Sequence, residues 1–187
     1  MSKLILLVGL SGSGKSTYAK NCLEHIDNIS YLKTVTTRPY RTEQEKDFSF
    51  EYDFVSEEEY QSRKNSSKKW DHDEIHGKHY GLDLSSLETN SERNYLLNVY
   101  PDKELVEKIV NSYPIDVKII LIDTTKQIAA ERVSMERPAQ EYSRPEQEKN
   151  IELEDIRKIA DYIFTPENIL EIDLENMNKL IKEIINK

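Results

Sequence analysis

The chain has 187 residues, enough for one domain with a substantial core and too few for two. Its 26 Lys and Arg against 35 Asp and Glu leave a net charge of -9, which repels a polyanion and argues against nucleic acid as a partner. A single cysteine, Cys22, excludes an internal disulfide, and no apolar run has the length of a membrane span or the form of a signal peptide; a reducing, cytoplasmic setting without a membrane partner is expected.

The first predicted element is a buried strand over Leu4–Val8, and residues 9–17 follow it directly as GLSGSGKST. Gly9, Gly14, Lys15 and Ser16 satisfy the pattern GxxxxGK[ST]. The spacing has a physical reason. A strand ends, glycines let the loop coil around a phosphate, and successive backbone N–H groups point inward as a helix begins. Gly9, Ser11, Gly12, Ser13, Gly14, Lys15, Ser16 and Thr17 are therefore expected to bind ATP, with Lys15 at the β- and γ-phosphates and the Ser16 hydroxyl on Mg²⁺. In the helix that follows, Ala19, Cys22, Leu23 and Ile26 share one face, so Cys22 reads as a core residue.

Further strands are predicted over Ser30–Val35, Asn94–Tyr100, Val117–Ile122 and Tyr162–Thr165, with helices in most of the gaps. Ser56/Glu59, Ser85/Glu88 and Ser143/Glu146 are capping boxes that mark helix starts. A last helix from about Leu174 places Leu174, Met177, Leu180, Ile181 and Ile184 on one face. Such alternation implies an α/β, P-loop NTPase fold: a parallel sheet of about five strands with helices on both faces.

Two intervals break the rhythm. Residues 36–84 are too long for a simple crossover and are rich in Arg, Asp, Glu, His and Tyr, the mark of a functional insertion. Residues 137–145 hold two arginines and two prolines and read as a lid. The division is then a core of residues 1–35, 85–136 and 146–187, an acceptor-binding insertion and a lid.

The strings NKxD and DxxG expected of a GTPase are absent, which leaves a kinase as the favoured class. A kinase acting on a second anion needs a separate positive pocket, because two polyanions must be brought together against their repulsion. The insertion supplies one: Thr36-Thr37-Arg38-Pro39-Tyr40-Arg41, then Tyr52-Asp53-Phe54-Val55-Ser56, then EIHGKHYG over Glu74–Gly81. On these segments the chain resembles the guanylate kinase family, in which TTRxPR, a Tyr before FVS, and G-x-Y-Y-G form the site of the acceptor nucleotide. The resemblance runs from about residue 3 to the C-terminus and is strongest to residue 81.

The resemblance implies that Arg38, Arg41, Tyr52 and Tyr80 bind the acceptor phosphate, the arginines through their forked donors. It implies a base pocket containing Thr34 and Asp71, the latter six residues before Gly77, where the family carries Glu. It further implies that Arg132 binds ATP and that Arg137 and Arg144 act with Lys15 in catalysis by stabilising charge on the transferred phosphoryl group. Two positions depart from the family pattern: Leu82 stands where the family has Ser or Thr, and Asn98-Val99-Tyr100 replaces its DID, leaving Asn98 as the acceptor-site residue of that strand end.

The resulting expectation is ATP-dependent phosphorylation of a nucleoside monophosphate, GMP or dGMP, by a monomer or homodimer. Ribose 1,5-bisphosphate, whose kinases are similar in carrying Asn at this strand end, and another or modified deoxynucleotide are the alternative acceptors. A non-catalytic binding module is the rival from another class. His72, His76 and His79 with Asp71 and Asp73 are read as part of the acceptor loop and not as a metal site, and Asp123 as a helix cap.

Overall fold

A computed structural model describes residues 2–40, 49–75, 77–85, 87, 93–113, 115–136 and 153–187. The five-stranded sheet has the order β2 (Ile29–Tyr31), β7 (Asn94–Val99), β1 (Lys3–Val8), β8 (Asp116–Ile122), β9 (Tyr162–Phe164), and every pairing in it is parallel. β1 is central and buried at all six positions, as expected of a strand covered on both faces, and its register places Leu6 between Leu97 and Ile119.

Alternation along these strands divides the core in two. Leu4, Leu6 and Val8 face one side with Leu97, Val99 and Leu121, where Val106 and Ile109 of α3 (Lys103–Ser112), Ala129 of α4 (Lys126–Glu136) and Ile156 of α5 (Glu154–Arg157) cover them. Ile5 and Leu7 face the other side with Leu96 and Ile120, against Ala19 and Cys22 of α1 (Lys15–His25) and Met177, Ile181 and Ile184 of α6 (Leu170–Ile185). Cys22 is fully buried, and burial pushes its thiol up to about 12, so it packs as an apolar side chain.

A second sheet has the order β4 (Tyr52–Phe54), β3 (Thr34–Thr36), β6 (Lys78–Asp83), β5 (Trp70–Ile75), with β3 and β4 parallel and the other pairs antiparallel. The single strand expected over Ser30–Val35 is therefore two. Ile29–Tyr31 pairs with β7, whereas Thr34–Thr36 turns away to pair with β4 and β6. Helix α2 (Glu57–Ser66) opens at the expected cap, the Glu59 N–H donating to Ser56 Oγ at 3.2 Å. The last helix starts at Leu170, ahead of the expected Leu174. Glu88, the box at Ser143/Glu146 and the lid at 137–145 lie outside the described residues. No helix among the described residues is long and apolar enough to cross a membrane.

Candidate active site

The loop after β1 takes its shape from two left-handed residues, Gly12 at φ +79° and Gly14 at φ +96°, the second being the N-cap of α1. A Cβ on Gly12 would meet the carbonyl oxygen of Ala129, so α4 lies directly against the loop. Lys15 Nζ donates to the carbonyls of Gly9 at 2.6 Å and Leu10 at 2.8 Å, folding the ammonium back into the coil of the loop. The buried Ser13 Oγ has no partner among the described residues.

Arg132 reaches across from α4, donating to the Gly12 carbonyl at 3.4 Å and to Asn168 Oδ1 at 3.2 Å. It also bonds Tyr18, whose phenol is pushed up to about 12 by burial and by Asp173, with Arg132 opposing the shift. The glycine-rich loop, α4 and the segment before α6 thus meet at one point. Asn168, itself left-handed at φ +63°, is a member of this group that no sequence motif marked.

The residues expected to bind an acceptor come together through strand alternation. Thr34 is the cross-strand partner of Tyr52, Thr36 of both Phe54 and Tyr80, Tyr80 of Asp73, and Leu82 of Asp71. Partners share a face, so Thr34, Tyr52, Asp71 and Tyr80 all project from the same side of the second sheet. That side is turned towards the core: Leu82 packs against the cluster that α3 covers, and Asp71 is bonded by Lys108 and Tyr113 of the α3 segment. Arg38 follows β3 on this side and is 6% exposed. Its guanidinium carbon lies 4.8 Å from the centroids of both the Tyr52 and Phe54 rings.

Asn98 approaches from the core sheet. It is paired with Leu7 on the α1 side of β7, and its N–H donates to the Tyr31 hydroxyl at 3.0 Å. Burial first, then Glu51 and Tyr52, push the Tyr31 phenol well above its ordinary range. Neither amide atom of the Asn98 side chain has a partner among the described residues, although both are buried. Arg41, Arg137 and Arg144 lie outside the described residues.

The opposite side of the second sheet has a different role. Trp70 and His72 there pack on Tyr60 of α2, and Trp70 Nε1 lies 3.4 Å from the Tyr60 hydroxyl, which lies 2.7 Å from His72 Nδ1. His79 stacks on the same ring and stands 3.2 Å from Glu57. No group of three or more His, Cys, Asp or Glu among the described residues is arranged for a metal ion, and His76 lies outside them.

A Mg²⁺ ion of a P-loop protein is held largely by phosphate oxygens and one hydroxyl, not by a carboxylate cage. Ser16, half-buried in the first turn of α1, presents a hydroxyl that fits this demand. Asp123 does not cap a helix as expected. It accepts from Arg157 Nε at 3.1 Å and from the same guanidinium at 2.6 and 2.8 Å, while Thr125 Oγ1 takes the Ile128 N–H at 3.3 Å at the start of α4.

A glycine-rich loop leaving the central strand of a parallel sheet and opening a helix defines a P-loop α/β protein of the small kinase type. The fold superposes with a TM-score of 0.53 on shikimate kinase from Acinetobacter baumannii, at 16% identity over 100% of this chain and 94% of that one. With guanylate kinase from Anaplasma phagocytophilum the TM-score is 0.63, at 24% identity over 97% of this chain and 86% of that one. Among curated proteins, the guanylate kinase of Prochlorococcus marinus is 26% identical over 71% of each chain. That of Agrobacterium fabrum is 31% identical over 64% of this chain and 53% of its own length. The guanylate kinase family model matches residues 1–187. The chain belongs to the guanylate kinase family, a family of nucleoside monophosphate kinases.

Proposed function

We propose that the protein transfers the γ-phosphoryl group of ATP to GMP or dGMP, giving ADP and the nucleoside diphosphate. The observation that carries this reading is the convergence of Thr34, Tyr52, Asp71 and Tyr80 on the core-facing side of the second sheet, with Arg38 beside them. In this reading the N–H groups of the glycine-rich loop and Lys15 hold the ATP phosphates, and Lys15 exchanges the Gly9 and Leu10 carbonyls for phosphate oxygens. Arg132 lies over the loop on the ATP side, and Arg137 and Arg144 close as a lid. Arg38 and Arg41, with the hydroxyls of Tyr52 and Tyr80, hold the acceptor phosphate in line. Thr34 and Asp71 meet the base, and Asn98, whose buried amide has no partner among the described residues, is taken as the acceptor-site residue contributed by the core sheet. Ser16 would hold Mg²⁺, which neutralises phosphate charge when bound.

An oxygen of the acceptor phosphate attacks the γ-phosphorus, the bond to the β–γ bridging oxygen breaks, and ADP leaves with that oxygen. The enzyme forms no covalent intermediate. The family match favours GMP over ribose 1,5-bisphosphate or another deoxynucleotide as acceptor. The reading takes the protein as cytoplasmic and as a monomer or homodimer. An ADP-release assay across GMP, dGMP, IMP, AMP, CMP, UMP, TMP and ribose 1,5-bisphosphate tests it. A guanine monophosphate is expected to be turned over; turnover of ribose 1,5-bisphosphate alone would replace the nucleotide with a sugar phosphate.

A further inference from the structure

Three donors already converge on Asp71. Lys108 Nζ donates to Oδ1 at 2.6 Å, the His72 N–H donates to the same oxygen at 2.9 Å, and the Tyr113 hydroxyl donates to Oδ2 at 3.0 Å. An ionised carboxylate offers about four acceptor positions, two on each oxygen. Oδ1 is therefore filled by the described residues, and Oδ2 has one position left.

Guanine presents two adjacent donors, N1–H and the 2-amino group, and a carboxylate holds both by giving one oxygen to each. With Oδ1 filled, Asp71 can take N1–H on Oδ2 and has nothing for the 2-amino group. Displacing Lys108 would free Oδ1, but a short charge-assisted bond would be lost for the one gained, so the exchange yields no preference. Leu82, the cross-strand neighbour of Asp71, carries no polar atom to substitute. Hypoxanthine keeps N1–H and lacks only the 2-amino group.

Resting on the reading that this face receives a purine monophosphate, we infer that Lys108 is a specificity-determining residue: its ammonium occupies the carboxylate oxygen that would distinguish guanine from hypoxanthine, so IMP is accepted beside GMP. The Lys108 side chain is 46% exposed and that of Asp71 18%, so the ammonium is open to solvent and Lys108 can be replaced without opening the core.

The test compares kcat/KM for GMP and IMP, with calorimetric titration of each nucleotide, in the unmodified protein, Lys108→Met and Tyr113→Phe. The unmodified protein should treat GMP and IMP within about threefold of each other. Lys108→Met frees Oδ1 and should raise the GMP-to-IMP ratio roughly tenfold, the usual weight of one hydrogen bond to a charged group. Tyr113→Phe frees only a second position on Oδ2 and should leave the ratio unchanged, so a loss of positioning alone cannot imitate the result. A ratio already above about tenfold with Lys108 present, or one that Lys108→Met does not move, overturns the assignment. Binding of neither nucleotide by a protein that still binds ATP would instead overturn the acceptor reading on which it rests.

Discussion

The Tyr60 hydroxyl and His72 Nδ1 stand 2.7 Å apart, with Trp70 Nε1 donating to that hydroxyl at 3.4 Å. The hydroxyl oxygen receives from Trp70, and its bond with Nδ1 runs in the direction set by the His72 tautomer. Burial first, then Lys64 and His79, lower the His72 pKa below the ordinary 6.5.

A folded-state pKa below the unfolded one means that the unfolded chain binds the extra proton first as pH falls. The contribution of His72 to stability is complete above about 6.5 and is lost progressively below it. Thermal melts between pH 7.5 and 5.5 should show Tm falling on the acid side, and His72→Gln should flatten that slope. Equal slopes in the two proteins would remove His72 from the account.

Lys15 donates to the Gly9 and Leu10 carbonyls of its own loop and is half-buried, so its loss should harm chemistry more than folding. Lys15→Met is expected to lower kcat by roughly a hundred- to a thousandfold, as when a preorganised donor to the transferring group is removed. The melt should stay within a few degrees of the parent protein. Undiminished turnover in the folded variant would take Lys15 out of the mechanism.

Arg38 combines two roles that can be separated. Arg38→Ala should raise the KM for the acceptor about ten- to a hundredfold and leave that for ATP nearly unchanged. It should also cost about 1–2 kcal/mol of stability, because the guanidinium lies against Tyr52 and Phe54. Arg38→Lys keeps the charge without the planar fork and should restore part of the stability but little of the affinity. A greater effect on ATP than on the acceptor would exchange the two sites.

Gly12→Ala places a methyl group at φ +79° and against the Ala129 carbonyl, so both the loop and α4 must shift. The strain corresponds to roughly 1–3 kcal/mol, or a Tm lower by about 3–10 °C in a chain of this size. ATP affinity should fall with it, which a fluorescent nucleotide titration measures. Gly77, also left-handed at φ +68° but with open space around its Cβ position, gives the comparison in which strain acts without a clash.

The core sheet was legible because β1, β7 and β8 each carry an apolar run, Leu4–Val8, Tyr95–Leu97 and Ile119–Ile122, the signature of strands buried on both faces. The break between Tyr31 and Thr34 was not, because propensity is continuous through Ser30–Val35 and only the choice of pairing partner divides it. β5 was not foreseen as a strand either: Trp-Asp-His-Asp-Glu-Ile packs on Tyr60 through an aromatic and an imidazole instead of aliphatic residues. The glycine-rich loop was visible because its backbone geometry demands particular residues at fixed offsets. Lys108 and Tyr113 left no such trace. Their meeting with Asp71 is tertiary, and no local pattern around either residue marks it.

Alternation in the second sheet also separates two kinds of evolutionary freedom. Side chains at Thr34, Asp71, Tyr80 and Leu82 can drift to suit a new substrate while Trp70, His72 and Tyr60 go on holding the scaffold, since the two sets never share a surface. A library confined to the first set should change selectivity with little loss of expression, and one confined to the second should do the reverse. Inserting one residue in β5 would exchange the sets along that strand and defeat both, so register is the property the second sheet has least room to vary.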